Sequence, residues 1–323
     1  MSRRTLTVGL YGINGHQVHD VLLSHPQVVL GATAGMTVGT LPKSLQEARD
    51  VCHYNTLGDL LANDEIQLIS LCSPNRRDQA KEAVRCLEAG KHVYAEKPCA
   101  MTERELDEII GTARAVNRKF HEMAGTAFEQ PYLEMRRLVK AGTIGTVVQV
   151  LVQKSYPYAD WRPEDEDVDG GLLMQVGVHA LRLVEHVAGV SVKNVEARQT
   201  KLGNPRKDNL RMAVSMVMEL ENGALASAVA NYLNPPAFGS WGNETLRIFG
   251  TKGFVEAVDG GRRTRLVLNE RDCGPLKVTE PSQDYFIRFL SSLLGDSEMP
   301  LDLEEELHPT RMVIRAKAKI ASH

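Results

Sequence analysis

The sequence predicts two domains in tandem, a parallel α/β domain followed by one built on an antiparallel sheet. Three observations carry that reading. The chain has 323 residues, a length ordinarily shared between two cores. Short apolar runs alternate with helical patterns up to about His121, as in successive βαβ units. Beyond that point strand-like runs follow one another across turn signals, as antiparallel strands do. The division is placed after residue 122, giving domains of residues 1–122 and 123–323.

In the first domain, Leu6–Tyr11 is an apolar run stopped by Gly12, and a helical pattern covers His16–Leu23. Val28–Thr33 and Ile66–Cys72 are the next strands, the latter ending in Ser73-Pro74-Asn75. Asp78–Ala89 reads as a helix with Ala80, Ala83, Val84 and Leu87 on one face and Gly90 as its stop. His92–Ala95 is a strand ending in Glu96-Lys97-Pro98. Thr102–Val116 is a helix opened by a capping box, with Thr102 at N-cap and Glu105 at N3. Crossovers of this length make the strands parallel.

In the second domain Pro131–Ala141 is helical. Val147–Lys154, Val195–Thr200, Met212–Leu220, Ala224–Asn231, Thr245–Phe249 and Arg265–Leu268 are strand-like, with Glu221-Asn222-Gly223 a turn between two of them. Leu172–Ala188 is a helix within this series, with Asp169 as its expected N-cap, and Glu304–Ala321 closes the chain. Asp160–Asp169 is acidic. It reads either as a solvated loop or as a lid near a ligand.

A formal net charge of −3 gives no basic surface for nucleic acid. Cys52, Cys72, Cys86, Cys99 and Cys273 are odd in number and never spaced as CxxC. Free thiols in a reducing compartment are therefore expected, with no disulfide framework and no metal site. No segment approaches the ~20 apolar residues that cross a bilayer, and the first residues lack the apolar run of a signal peptide. A cytoplasmic protein without membrane or nucleic-acid partners is the expectation.

The turn after the first strand reads Gly12-Ile13-Asn14-Gly15. Glycines there let backbone N–H groups approach a pyrophosphate, so the turn is a candidate dinucleotide cradle of the Rossmann type. The fingerprint is imperfect: Asn14 and Gln17 stand where its second and third glycines belong. Gln17 should push the following helix off the strand. The next strand ends in Ala34-Gly35-Met36-Thr37 without a carboxylate to bind a ribose. NAD and NADP both remain open, with a lean to NADP; Lys43 is the nearest cation.

Ser73-Pro74-Asn75 and Glu96-Lys97-Pro98 both follow parallel strands, whose carboxyl ends are where open α/β sheets bind ligands. A lysine beside an oxidised nicotinamide is a plausible proton donor or acceptor. The run from Glu88 to Pro98, with Glu96-Lys97-Pro98 at its end, resembles the hallmark segment of the glucose–fructose oxidoreductase, inositol dehydrogenase and rhizopine-catabolism (Gfo/Idh/MocA) family. Ala141–Val147, Gly170–His179 and Gly250-Thr251-Lys252-Gly253 are similar to later segments of that family, in its order. The resemblance implies an α/β Rossmann N-terminal domain and an α+β C-terminal domain with a large, mostly antiparallel open sheet. It further implies NAD or NADP as cofactor, a sugar, polyol or related derivative as small-molecule substrate, and a homodimer or homotetramer. By resemblance, Lys97 and His179 are the catalytic residues. Gly12, Ile13, Asn14, Gly15, Ser73, Pro74, Asn75, Glu96 and Lys97 would bind cofactor.

Gln175, His179, Arg182 and His186 are spaced i, i+4, i+7, i+11, one polar stripe on an otherwise apolar helix. Such a stripe lines a wet cavity or faces solvent. The family's aspartates are replaced by Gln175 and Arg182, so His179 is expected to be a weaker base. Gln175 and Arg182 would bind the substrate, Arg182 through a carboxylate or phosphate, or the chemistry is altered. Trp161 and Arg162 are further candidate substrate-binding residues. Asp78 and Ala127 also depart from the family's usual residues. The reading is an NAD(P)-dependent dehydrogenase or reductase acting at a CH–OH or C=O group. The alternatives are a non-catalytic dinucleotide-binding regulator or inactive paralogue, and an NAD-using enzyme without net redox change.

Overall fold

The computed structural model describes residues 5–48, 50–123 and 125–321. Among them, no helix is long and apolar enough to cross a membrane. The first sheet contains β1 (Leu6–Tyr11), β2 (Val28–Ala34), β3 (Cys52–Tyr54), β4 (Leu68–Leu71), β5 (His92–Ala95) and β6 (Phe120–Glu122). They run parallel in the order β3-β2-β1-β4-β5-β6. That is the Rossmann order, with its switch point between β1 and β4. β4 is wholly buried, and β1 and β5 are buried at all but one position each. Their near-continuous apolar runs are what a sheet covered on both faces requires.

The helices between are α1 (His19–Ser24), α2 (Lys43–Gln46), α3 (Leu57–Leu61), α4 (Arg76–Glu88) and α5 (Glu103–Ala115). The capping box of α5 is present: Thr102 Oγ1 accepts from Glu105 N, and Glu105 Oε2 accepts from Thr102 N. α1 begins three residues later than the sequence pattern suggested. Gln17 Nε2 donates to Tyr11 O (3.1 Å) and Gly12 O (2.7 Å), and its Oε1 accepts from Ser70 Oγ (2.7 Å). These bonds hold the segment in a loop instead of a first helical turn. β3 and β6 carried no apolar run. β6 reads Phe-His-Glu, and its polar residues are buried because Glu306 meets them. Glu306 Oε2 pairs with His121 Nδ1 and accepts from Tyr285 Oη (2.7 Å), while Oε1 accepts from Glu122 N (2.8 Å).

The second sheet contains β7 (Val147–Ser155), β8 (Val192–Thr200), β9 (Ala213–Leu220), β10 (Leu225–Asn231), β11 (Asn243–Gly250), β12 (Gly253–Val258), β13 (Arg263–Leu268) and β14 (Arg271–Gly274). Its order is β14-β13-β12-β11-β7-β10-β9-β8. Every neighbouring pair is antiparallel except β7 with β10, which run parallel. Apart from half-buried Ala213 and Asn231 at their ends, β9 and β10 alternate between buried and exposed residues. The inner face carries Val150, Val152, Met216, Met218, Ala226 and Ala228. The outer face exposes Val217, Leu225 and Val229.

The remaining helices are α6 (Tyr132–Lys140), α7 (Glu166–Asp169), α8 (Val178–Arg182), α9 (Tyr285–Leu294) and α10 (Leu303–Ala321). α8 is continued at both ends by π-helical turns, Leu173–Gly177 and Val187 back to Leu183. This composite helix lies on the inner face, where a Cβ on Gly177 would sit 3.5 Å from Met216 Cε. The chain enters through Gly170 and Gly171, both at positive φ, and its N-cap Leu172 makes no side-chain cap.

Two compact units result, neither contiguous in sequence. The first takes residues through Met123 with Asp167–Asp169 and Tyr285–Leu307; the second takes the segments through Glu166, Gly170–Asp284 and from His308 onward. α9 joins the first unit because its apolar face meets β5 and β6: the Tyr94 ring lies 4.8 Å from Phe286 and 5.7 Å from Phe289, and His121 lies 4.7 Å from Phe289.

Candidate active site

In the first unit three strand ends meet. Tyr11 and Ala95 both pair with Leu71, so β1, β4 and β5 finish side by side. Cys72 N donates to Tyr11 O and Glu96 N to Leu71 O, both at 2.8 Å. Gly12, Ser73 and Glu96 therefore leave the sheet together at its switch point.

Gly12 sits at φ 71°, and a Cβ there would lie 2.0 Å from Cys72 O. Only glycine permits that approach. A Cβ on Gly15, at φ 143°, would lie 2.3 Å from Glu96 Oε2. Asn14, in place of the fingerprint's second glycine, braces the turn: its Nδ2 donates to Pro74 O (3.0 Å) and Val168 O (2.7 Å). Ile13 and Asn14 present backbone N–H groups with no acceptor among the described residues. Two open N–H donors on a turn without Cβ obstruction suit a diphosphate. The turn thus fits a dinucleotide despite its incomplete glycine pattern. Ser73 Oγ, buried and without a partner among the described residues, adds a donor at the adjoining strand end. The end of β2 carries no carboxylate, and Lys43 is exposed at the start of α2.

Behind the turn lies a polar brace that sequence reasoning missed. Buried Arg76 donates to Asn14 O (2.6 Å) and Gln79 Oε1 (2.5 Å). Gln79 Nε2 donates to Glu96 O and to Pro98 O (3.0 Å), and Gln79 Oε1 accepts from Ser73 N (3.3 Å). One i, i+3 pair on α4 thereby ties the three strand ends together. The only available signal was two polar residues on the face shared with Ala80 and Ala83.

Glu96 is buried and ionised. Its Oε2 accepts from His16 N (2.5 Å) and meets His16 Nδ1 (2.8 Å); its Oε1 accepts from Lys97 N (2.9 Å) and pairs with Lys97 Nζ (3.4 Å). Burial alone would raise its pKa, but Lys97, His16 and Arg76 outweigh burial and hold the carboxyl well below the usual range. Lys97 is itself 4% exposed, so its ammonium is set at the end of β5 against a fixed counter-charge.

In the second unit His179 is buried on α8, with the Tyr156 ring edge-on at 6.3 Å. Gln175 is half-buried on the preceding π turn. Arg182, His186 and Glu185 are all buried. Glu185 meets His308 Nδ1 through both carboxylate oxygens at 2.9 Å and accepts from Val192 N (3.2 Å). Burial pushes the Glu185 carboxyl up, against the pull of His308 and Arg182. Arg182 thus has a carboxylate of its own helix in electrostatic range. The π turns widen the helix beyond 3.6 residues per turn, so the four-residue stripe is not a straight row. Trp161 is exposed, whereas Arg162 is buried beneath aromatic rings. In the acidic segment, Glu166 pairs with Lys317 (3.0 Å) and Asp167 with Arg77 (3.6 Å).

Comparison with known proteins gives the arrangement its context. Residues 4–123 match the oxidoreductase family, NAD-binding Rossmann fold, and residues 132–256 match the GFO/IDH/MocA C-terminal domain. The chain is 28% identical over 281 residues to the uncharacterized oxidoreductase YrbE of Bacillus subtilis, covering 81% of this chain and 78% of that protein. It is 22% identical over 223 residues to the myo-inositol 2-dehydrogenase of Thermotoga maritima, covering 67% of this chain and 64% of that one. Its fold is shared with the WlbA dehydrogenase of Chromobacterium violaceum, solved in complex with NADH and UDP-GlcNAcA. The TM-score is 0.81 at 19% identity, over 100% of this chain and 95% of that one. With both of its sheets and both family segments accounted for, the chain belongs to the GFO/IDH/MocA family of NAD-binding oxidoreductases.

Proposed function

We propose that the protein is an NAD(P)-dependent dehydrogenase or reductase acting at a CH–OH or C=O group of a sugar, polyol or related derivative. The observation that carries this reading is the convergence of Gly12–Gly15, Ser73–Asn75 and Glu96-Lys97 at the β1/β4 switch point. The myo-inositol 2-dehydrogenase relative and the WlbA complex support the substrate class and the cofactor.

The turn at Gly12, Ile13, Asn14 and Gly15 would hold the diphosphate, with Ser73, Pro74 and Asn75 on its flank. A bound nicotinamide supplies the hydride acceptor or donor. Lys97 and His179 are assigned the proton on the substrate oxygen. The ammonium of Lys97, set against Glu96, donates when a carbonyl is reduced; a neutral His179 accepts when a hydroxyl is oxidised. Gln175, Arg182, Trp161 and Arg162 are assigned to substrate binding. The carboxylate-free end of β2 favours NADP over NAD. Unpaired cysteines favour a cytoplasmic setting. The exposed Val217, Leu225 and Val229 favour a homo-oligomer formed through the outer sheet face.

The test is isothermal titration with NAD, NADH, NADP and NADPH, followed by turnover of a sugar and polyol panel. Lys97→Met should keep cofactor affinity within about twofold and lower turnover by at least ~100-fold. Unchanged turnover removes Lys97 from the mechanism. Absence of binding by all four dinucleotides overturns the reading.

A further inference from the structure

A separate cleft lies within the first unit, away from the candidate site. It opens between the segment that leads from α5 into β6 and the segment that joins α9 to α10. It holds about 450 Å³, a volume in the range of small-molecule sites. Phe120, the first residue of β6, and Leu301 give it a buried apolar lining. The strands run parallel, and Ala95, just before Glu96 and Lys97, pairs with Glu122 at the far end of β6. The cleft therefore sits at the opposite end of the strands from the switch point.

Its two segments carry opposite charges that do not meet. Arg118 and Lys119 belong to the first, Glu298 and Asp302 to the second. Backbone groups, not counter-ions, hold three of the four. Arg118 Nε donates to Gly90 O (2.5 Å) and its Nη1 to Asn117 O (3.0 Å). Lys119 Nζ donates to Ser292 O (2.9 Å). Asp302 Oδ1 accepts from Glu305 N (2.8 Å) at the start of α10. Glu298 is exposed and has no hydrogen bond or ion pair among the described residues. The other charges at the cleft are neutralised: Arg114 pairs with Glu304 (3.0 Å), and His121 with Glu306. Among the described residues no ion pair joins Arg118 or Lys119 to a carboxylate. Two fixed cations and two carboxylates thus border one apolar space without neutralising each other.

We propose that this cleft is a second ligand site, for a small zwitterion with an apolar body, the chemistry of a free apolar α-amino acid. The carboxylate of the ligand meets Arg118 and Lys119, and its ammonium meets Glu298 and Asp302. Its side chain lies against Phe120 and Leu301. A guanidinium favours a carboxylate over a neutral oxygen, and opposed charges around one space select a ligand that carries both signs. The dinucleotide cradle lies at the other end of the strands, so the site stands or falls independently of the redox reading.

The full chain is titrated with L-phenylalanine and with two analogues that each lack one charge. One is 3-phenylpropionate, without the ammonium; the other is 2-phenylethylamine, without the carboxylate. Ligand-observed NMR gives the three Kd values. Phenylalanine should bind about tenfold more tightly than either analogue. Glu298→Gln should weaken phenylalanine by about fivefold and leave 3-phenylpropionate within about twofold. Arg118→Gln should weaken phenylalanine similarly and leave 2-phenylethylamine unchanged. A variant that merely disturbed the fold would weaken every probe. Glu298 holds no other group in place, so its variant decides the matter if Arg118→Gln fails to fold. Absence of phenylalanine binding, or equal affinities for the three probes, overturns the proposal. Phenylalanine binding unchanged in Glu298→Gln also overturns it, because the ligand then sits elsewhere. Tighter binding of 3-phenylpropionate than of phenylalanine overturns it as well and assigns the cleft to a simple anion.

Discussion

At the scale of single residues, Glu185 and His308 set a pH dependence. The Glu185 carboxylate raises His308 above its ordinary value of 6.5, against the opposing effect of burial. The folded chain therefore holds this proton more tightly than the unfolded chain. Stability from the pair is complete below about pH 6.5 and is lost as pH rises through the raised pKa of His308. His308→Gln should destabilise the protein by about 2 kcal/mol at pH 6, with the difference shrinking toward pH 9. Denaturant unfolding at both pH values checks this; a difference that grows with pH would refute it. Residues of this kind were illegible in the sequence. Glu96 and Lys97 could be read because their meaning lies in a contiguous segment at a strand end. Glu185 with His308 and Glu306 with His121 acquire theirs from partners more than a hundred positions away. Arg182 was assigned from its place on the helix stripe alone, and its electrostatic neighbour Glu185, three residues on, was not weighed.

At the scale of elements, local chemistry was legible wherever it was self-contained. The capping box of α5 is one such case. Thr102→Ala should cost about 1 kcal/mol, visible as a lowered Tm with cofactor affinity unchanged. α1 shows the opposite situation. Its apolar spacing suggested a start at His16, but the side chain of Gln17 reaches back to two strand carbonyls and delays the helix. α9 was missed although Tyr285, Phe286, Phe289 and Leu290 lie on one buried face. β12 and β14 were missed because their burial is incomplete and they lack long apolar runs. The composite helix bearing His179 was placed correctly along the chain. Its π turns were not foreseen, because period counting assumes a constant number of residues per turn.

At the scale of the whole molecule, the fold class was legible while the partition of the chain was not. Contiguous domains were expected, but Tyr285–Leu307 belongs to the first compact unit. The outer sheet face offers a further test: Val217→Lys combined with Leu225→Lys should yield a smaller species in sedimentation analysis. Unchanged mass would remove that face from any assembly. The sheet's strand order also bears on how the chain folds. β7 is the first strand of its sheet to be synthesised, yet it lies in the interior, between β10 and β11. Both its edges must wait for residues 225–231 and 243–250. Pairings so distant in sequence close slowly. During synthesis Val147–Ser155 is thus an apolar strand with two unmatched edges, the kind of segment that attracts a chaperone or a second nascent chain.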